Sequence, residues 1–258
     1  MSNPLLEHNT LPPFNRLVPE HIVPAIETIL EELRAGIKKL VETRPYSYES
    51  VVKARESLED KLHHAWSPVS HLNSVMNSVE LRDAHTACLA LITDYYTEVG
   101  QNRSLFQAYQ AIAESAQYDS LPQADRKVID NALRDFRLSG IDLPESEQAR
   151  LSALSREISS LNSTFNNNVL DATQVWQKLV TEKSGLPGVP HNALVSMHKN
   201  AVDKGQQGYL VTLDAPCYLA IMTHCDERTL RQELYTAFGT RASNLGPNAG
   251  AFDNSDVM

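Results

Sequence analysis

At 258 residues the chain is long enough for one large domain or two small ones. Lys plus Arg number 23 against 32 Asp plus Glu, a net charge of −9 that excludes duplex nucleic acid and an anionic membrane as main partners, since both require a cationic surface. Apolar residues at 42% and charged residues at 21% exclude disorder and collagen-like repeats, and only 10 glycines among abundant Leu, Ala and Glu favour helix.

Met1–Phe14 has no basic n-region and no apolar h-region, because Glu7, His8 and Asn9 interrupt it, so no secretory signal is expected. A first helix follows. Ile22, Ile26, Ile29, Leu33, Ile37 and Leu40 recur at helical spacing, with Pro19 and Pro24 near the first turn, where a missing N–H costs little. Glu27, Glu31 and Glu32 stand early and Lys38 and Lys39 late, as the helix dipole favours, and Pro45 closes the element.

A second amphipathic run carries Val51, Val52, Leu58 and Leu62 from Ser47 to Trp66, and Ser67-Pro68 is expected to break it. A third helix is predicted from Val79 to Val99, a shorter one over Leu105–Ala116, and another from Pro122, with Ile129, Leu133 and Phe136 on one face and Gly140 as its stop. After Pro144, Leu151, Leu154, Ile158, Leu161, Phe165 and Ala172 keep heptad register, interrupted at Asn166-Asn167-Asn168. About 30 residues of helix would run roughly 45 Å. Its expected role is a central helix over about 144–173, buried against neighbours on two sides.

Beyond it the texture changes. Tyr209–Leu213 reads as a strand pairing with part of Val175–Thr181, and Gly185–Pro190 as a loop. Ala193–Val202 is a candidate helix. Asp214 and Pro216 fit the start of a helix carrying Tyr218–Cys225, and Asp226 the cap of another with Leu230, Leu234 and Phe238 on one face. Asp253–Asp256 looks like a cap with a helix about to begin, two residues before Met258. The fold class is therefore all-α with at most one minor hairpin-like pairing. Its organisation is a helical bundle over 1–183 and a smaller α+β segment over 184–258.

The apolar stretches near Cys88–Ile92 and Tyr218–Met222 are far short of the roughly 20 residues that span a bilayer. Cys88, Cys217 and Cys225 are too few and too scattered for a disulfide framework, which points to a reducing cytoplasm.

Little in the chain carries chemistry. His63, His64 and His71 are the densest histidine cluster. His64 and His71 would share a helix face only if the helix ran through Pro68, and no third ligand stands at a typical zinc spacing, so structural histidines are expected. Cys217, His224 and Cys225 invite the same suspicion, but they sit among apolar residues, where buried structural cysteine is the commoner outcome. The Glu31-Glu32 and Glu59-Asp60 pairs read as solvated charge. The Asn166–Asn168 run reads as a helix kink or end with locally satisfied amides, the alternative being a polar patch for a peptide backbone. No His-Glu-x-x-His, Gly-x-Ser-x-Gly, phosphate loop or dinucleotide fingerprint is present. The expected list of catalytic, substrate-binding and metal residues is none.

Several segments go beyond composition. Asn3–Leu6, Leu11–Phe14 with Pro19-Glu20-His21, Ser67–Val75, Asp130–Phe136, Ser139–Pro144 and Asn167–Thr173 form one set, and Thr240–Ser243, Gly246–Gly250 and Asp253-Asn254-Ser255 continue it. Together they resemble the N-terminal part of the zinc metallopeptidase family that includes oligopeptidase A, thimet oligopeptidase and neurolysin. The resemblance implies a nearly all-helical enzyme split by a deep channel. Its zinc, catalytic glutamate and transition-state groups lie in the C-terminal half, and the N-terminal region is the wall that admits only short peptides. Zinc is thus implied for the complete enzyme and no cofactor for this chain, which is expected to be inactive alone. Its implied partners are short peptides and the C-terminal catalytic domain, with self-association through the exposed docking face. The alternatives are a stand-alone helical interaction module and the N-terminal part of a related dipeptidyl carboxypeptidase.

Overall fold

Ile22, Ala25, Ile26, Ile29, Leu30, Leu33 and Ile37 all lie buried along one face of α1 (Ile22–Glu42), the stripe that the spacing predicts. The computed structural model describes residues 3–7 and 11–258; His8 and Asn9, on which part of the N-terminal leader expectation rests, lie outside the described residues. The chain divides into two units, Met1–Ser160 and Leu161–Met258.

In the first unit α1 packs against α2 (Ala54–Val75) and α3 (Val79–Gly100), and α4 (Arg103–Ala113) packs against α6 (Gln123–Leu138). A single π-helical turn, Tyr48–Lys53, leads into α2, and the short α5 (Ala116–Ser120) separates α4 from α6. Close approach of α1 to α2 depends on Gly36, where a Cβ would meet Leu58 Cδ1 at 2.7 Å. Arg34 on α1 donates from Nε and Nη2 to Glu98 on α3 at 2.7 and 3.0 Å. The caps are local. Ser78 Oγ accepts from Leu81 N–H at 3.2 Å at the start of α3, and Asn102 Oδ1 accepts from Leu105 N–H at 2.9 Å at the start of α4.

Three expectations are corrected here. Ser67-Pro68 does not break the second helix, which runs on to Val75. Pro68 has no N–H to give His64, a loss of about 3 kcal/mol, but Leu62, Ala65 and Val69 continue a fully buried face on either side of it, and that burial outweighs the loss. The Asn166–Asn168 run does not interrupt the long helix either; α7 spans Glu145–Val175. Nor is α7 buried on two sides. Ala172 is its one buried residue, and Ile158 in the apolar stripe is 57% exposed.

The turn before α7 is held by Gly140, at φ +86°, and by Gln148, whose Nε2 donates to the Gly140, Ile141 and Leu143 carbonyls at 3.1 to 3.3 Å. A side chain at Gly140 would meet Leu151 and Leu143 within 2.9 Å, so this is a position only glycine suits.

In the second unit β1 (Gln177–Val180) pairs antiparallel with β2 (Tyr209–Thr212), in the register Gln177↔Thr212 to Val180↔Tyr209. α8 (His191–Asp203), α9 (Ala215–His224) and α10 (Arg228–Gly239) complete it around Met197, Val211, Leu213, Ile221 and Leu234. Asp214 caps α9, its Oδ1 accepting from Cys217 N–H at 3.1 Å, as expected. The cap of α10 is Glu227, not Asp226: Glu227 Oε1 accepts from Thr229 N–H at 3.0 Å, while Asp226 gives its backbone N–H to the Pro187 carbonyl at 2.9 Å. The chain is thus mainly helical, with ten α-helices among the described residues and one two-stranded sheet. No helix among them is long and apolar enough to cross a membrane.

Candidate functional site

α2 puts His63 and His64 on its exposed side, with the rings edge to face at 6.3 Å. His64 Nε2 lies 3.2 Å from Asp60 Oδ2, one turn earlier. His71 is on the same unbroken helix, but seven residues at helical rise put it roughly 10 Å from His64 along the axis. That is beyond a shared zinc ion, whose ligands lie about 2 Å from the metal. The His71 ring instead meets Phe14 at 5.7 Å.

A further histidine carries no signal in the sequence spacing. His85 on α3 stacks on Trp66 of α2 at 4.6 Å and 24° between ring planes, and its Nδ1 is buried with no hydrogen-bond partner. Burial holds its pKa below the usual histidine value, so the neutral ring is the stable form.

In the second unit Cys217 and Cys225 are buried free thiols, and His224 between them in sequence is exposed. Thr212 N–H donates to Cys217 Sγ at 3.3 Å, and burial raises the Cys217 pKa. Cys88 in the first unit is pushed up to about 12, mainly by burial. Both are protonated, apolar-packed thiols rather than nucleophiles. Among the described residues no three His, Cys, Asp or Glu side chains are grouped to hold a metal ion. The described residues therefore do not fit a zinc site.

The expectation of locally satisfied amides in the Asn run is corrected at Asn168, whose partner stands 86 residues further along the chain. Asn168 Nδ2 donates to Asn254 Oδ1 at 2.8 Å, and Asn254 Nδ2 donates to the Phe165 carbonyl at 3.2 Å.

Each unit also carries a concave feature with mixed polar and apolar walls. In the first unit a cavity of about 470 Å³ opens between α2, α3, α4 and α6. Its walls carry the Arg55–Glu59 pair, with Nε to Oε1 at 2.9 Å, and the rings of Tyr96, Tyr109 and Phe136. The Arg55 guanidinium carbon lies 6.0 Å from the Tyr109 ring centre and 5.9 Å from that of Phe136. Nothing in the spacing of these residues signalled it, because the wall is assembled from four helices. In the second unit a groove of about 380 Å³ runs between α8, with Asn192, Ser196 and Asn200, and α9, with Pro216, Leu219 and Thr223.

Comparison with known proteins adds what the geometry lacks. The family model described as the neurolysin/thimet oligopeptidase N-terminal domain matches residues 26–148. Oligopeptidase A of Haemophilus influenzae is 47% identical over 258 residues, covering 100% of this chain and 38% of that protein. Oligopeptidase A of Escherichia coli is 46% identical over 259 residues, again with 100% of this chain and 38% of the relative covered. A dipeptidyl carboxypeptidase of Salmonella typhimurium is 25% identical over 93% of the chain and 36% of its own length. The chain thus spans less than two fifths of the length of these curated relatives.

Proposed function

The chain belongs to the thimet oligopeptidase family, matching its N-terminal portion, and on that premise we propose that it is the channel-wall region of a cytoplasmic, oligopeptidase A-type zinc metalloendopeptidase acting on short peptides. The observation that carries this proposal is the similarity at 46–47% identity along the whole chain to proteins named oligopeptidase A. Similarity to the dipeptidyl carboxypeptidases is about half as high, at 22–25%, which favours internal cleavage over removal of C-terminal dipeptides.

In this proposal the chemistry lies outside the chain. Zinc, when bound in the complete enzyme, would polarise the scissile carbonyl and activate water. The residues of this chain would supply shape. His64, His71 and His85 meet Asp60, Phe14 and Trp66, and Cys88 and Cys217 are buried and protonated. None of them is placed to act on a peptide bond. The packed helices would exclude folded proteins, and the apolar side chains that α7 leaves exposed would meet the catalytic part.

The test is the product pattern of the complete protein on a short peptide labelled at both ends. Internal cuts abolished by a chelator and restored by zinc, with a folded protein left intact, are expected. Release of dipeptides from the C-terminus alone, or chelator-insensitive cleavage, would overturn it.

A further inference from the structure

We propose that the cavity of the first unit is a binding site for an amphipathic organic cation, a primary ammonium carried on an aromatic or alkyl body. This goes beyond the peptidase proposal and does not depend on it. The cavity, at about 470 Å³, falls in the size range of small-molecule sites. Val52, Val99, Val128 and Phe136 give it apolar wall, suited to an uncharged body rather than to a hydrated ion.

The sign of the head group follows from the charges. Three carboxylates, Glu56, Glu59 and Asp135, face one guanidinium, Arg55. Arg55 is already compensated, since its Nε donates to Glu59 at 2.9 Å, and a ligand anion would meet the other two acids. Asp135 is held on its outer side by Arg134 at 2.7 Å, an exposed pair that screens little of its charge. Glu56 takes part in no side-chain hydrogen bond or ion pair among the described residues, so its carboxylate is the free acceptor at the cavity wall. Tyr96, half exposed on the same wall, adds a ring face that attracts a cation and repels an anion.

The experiment titrates the 258-residue chain with phenethylamine, N-acetylphenethylamine and 3-phenylpropanoate at low salt, followed by calorimetry. These probes share a body and differ in head charge. Saturable binding of the amine, at least about tenfold tighter than either comparator, is expected. Glu56→Gln and, separately, Tyr96→Ala should each weaken it severalfold while leaving the circular dichroism and Tm in place; both side chains are solvent-accessible, so neither change should unfold the chain. No saturable amine binding, equal binding of the neutral amide, preference for the carboxylate, or amine binding untouched by both variants would overturn the proposal.

Discussion

Asn168, near the middle of the α7 half that belongs to the second unit, donates its side-chain amide to Asn254 Oδ1 at 2.8 Å. Asn254 completes the link by donating to the Phe165 carbonyl at 3.2 Å and by giving its backbone N–H to the Ala242 carbonyl at 3.1 Å. It is 3% exposed, the one buried polar residue among those described. A buried amide with both side-chain ends satisfied is stabilising, whereas the same site with one partner removed leaves an orphan. Asn254→Ala should therefore cost the second unit about 1–3 kcal/mol in urea unfolding, and Asn168→Ala a similar or smaller amount, because Asn254 then loses one partner. Additive costs in the double variant would contradict a shared bond.

Gly188 separates backbone strain from ordinary glycine usage. It sits at φ +81°, and a Cβ there would lie 2.2 Å from the His224 carbonyl oxygen. Gly205 also has positive φ, at +70°, but nothing lies within 4 Å of its would-be Cβ. Gly205→Ala should cost only the left-handed backbone penalty of roughly 1–2 kcal/mol, whereas Gly188→Ala must also displace the loop from α9 and should cost clearly more. Equal destabilisation by chemical denaturation would contradict the close approach.

How much of this was legible beforehand depended on whether the signal was local. The α1 stripe, the Asp214 cap and the β1–β2 pairing follow from spacing and residue type within short windows, and each forms where expected. At Pro68 the penalty is local and legible, but the buried face that Leu62, Ala65 and Val69 carry past it depends on packing against other helices. At α10 the cap moved one residue, from Asp226 to Glu227, because Asp226 is drawn to the Pro187 carbonyl by a loop far away in sequence. The Trp66–His85 stack and the Arg55 cavity could not have been read at all. Each is assembled across helices whose mutual packing no periodicity encodes.

The Trp66–His85 stack predicts a pH dependence. Burial holds the folded-state pKa of His85 below the unfolded value of 6.5. The unfolded chain therefore binds the proton first as pH falls. His85 should leave stability whole above about 6.5 and erode it progressively below that, until the folded form is protonated too. His85→Phe, which keeps an aromatic partner for Trp66, should flatten that part of the stability–pH curve. A slope unchanged by the variant would contradict the assignment, and Trp fluorescence gives an independent reading of the stack.

The three thiols make a further test. Cys88, Cys217 and Cys225 are buried and unpaired, and burial raises the pKa of Cys88 and of Cys217. The native chain should react slowly with a thiol reagent at pH 8, and the urea-unfolded chain should release three equivalents at once. Rapid labelling of Cys217 in the native state would show a reactive thiol beside the α8–α9 groove and contradict its structural role.

The claim on which the functional account rests is that this chain forms part of a peptidase without the reactive centre. Metal content and turnover of the purified 258-residue chain test it together, with a quenched fluorescent peptide as substrate and zinc supplied in excess. The account predicts no stoichiometric zinc after desalting and no cleavage above the buffer rate. Retained zinc at one ion per chain, with hydrolysis that a chelator stops, would contradict it.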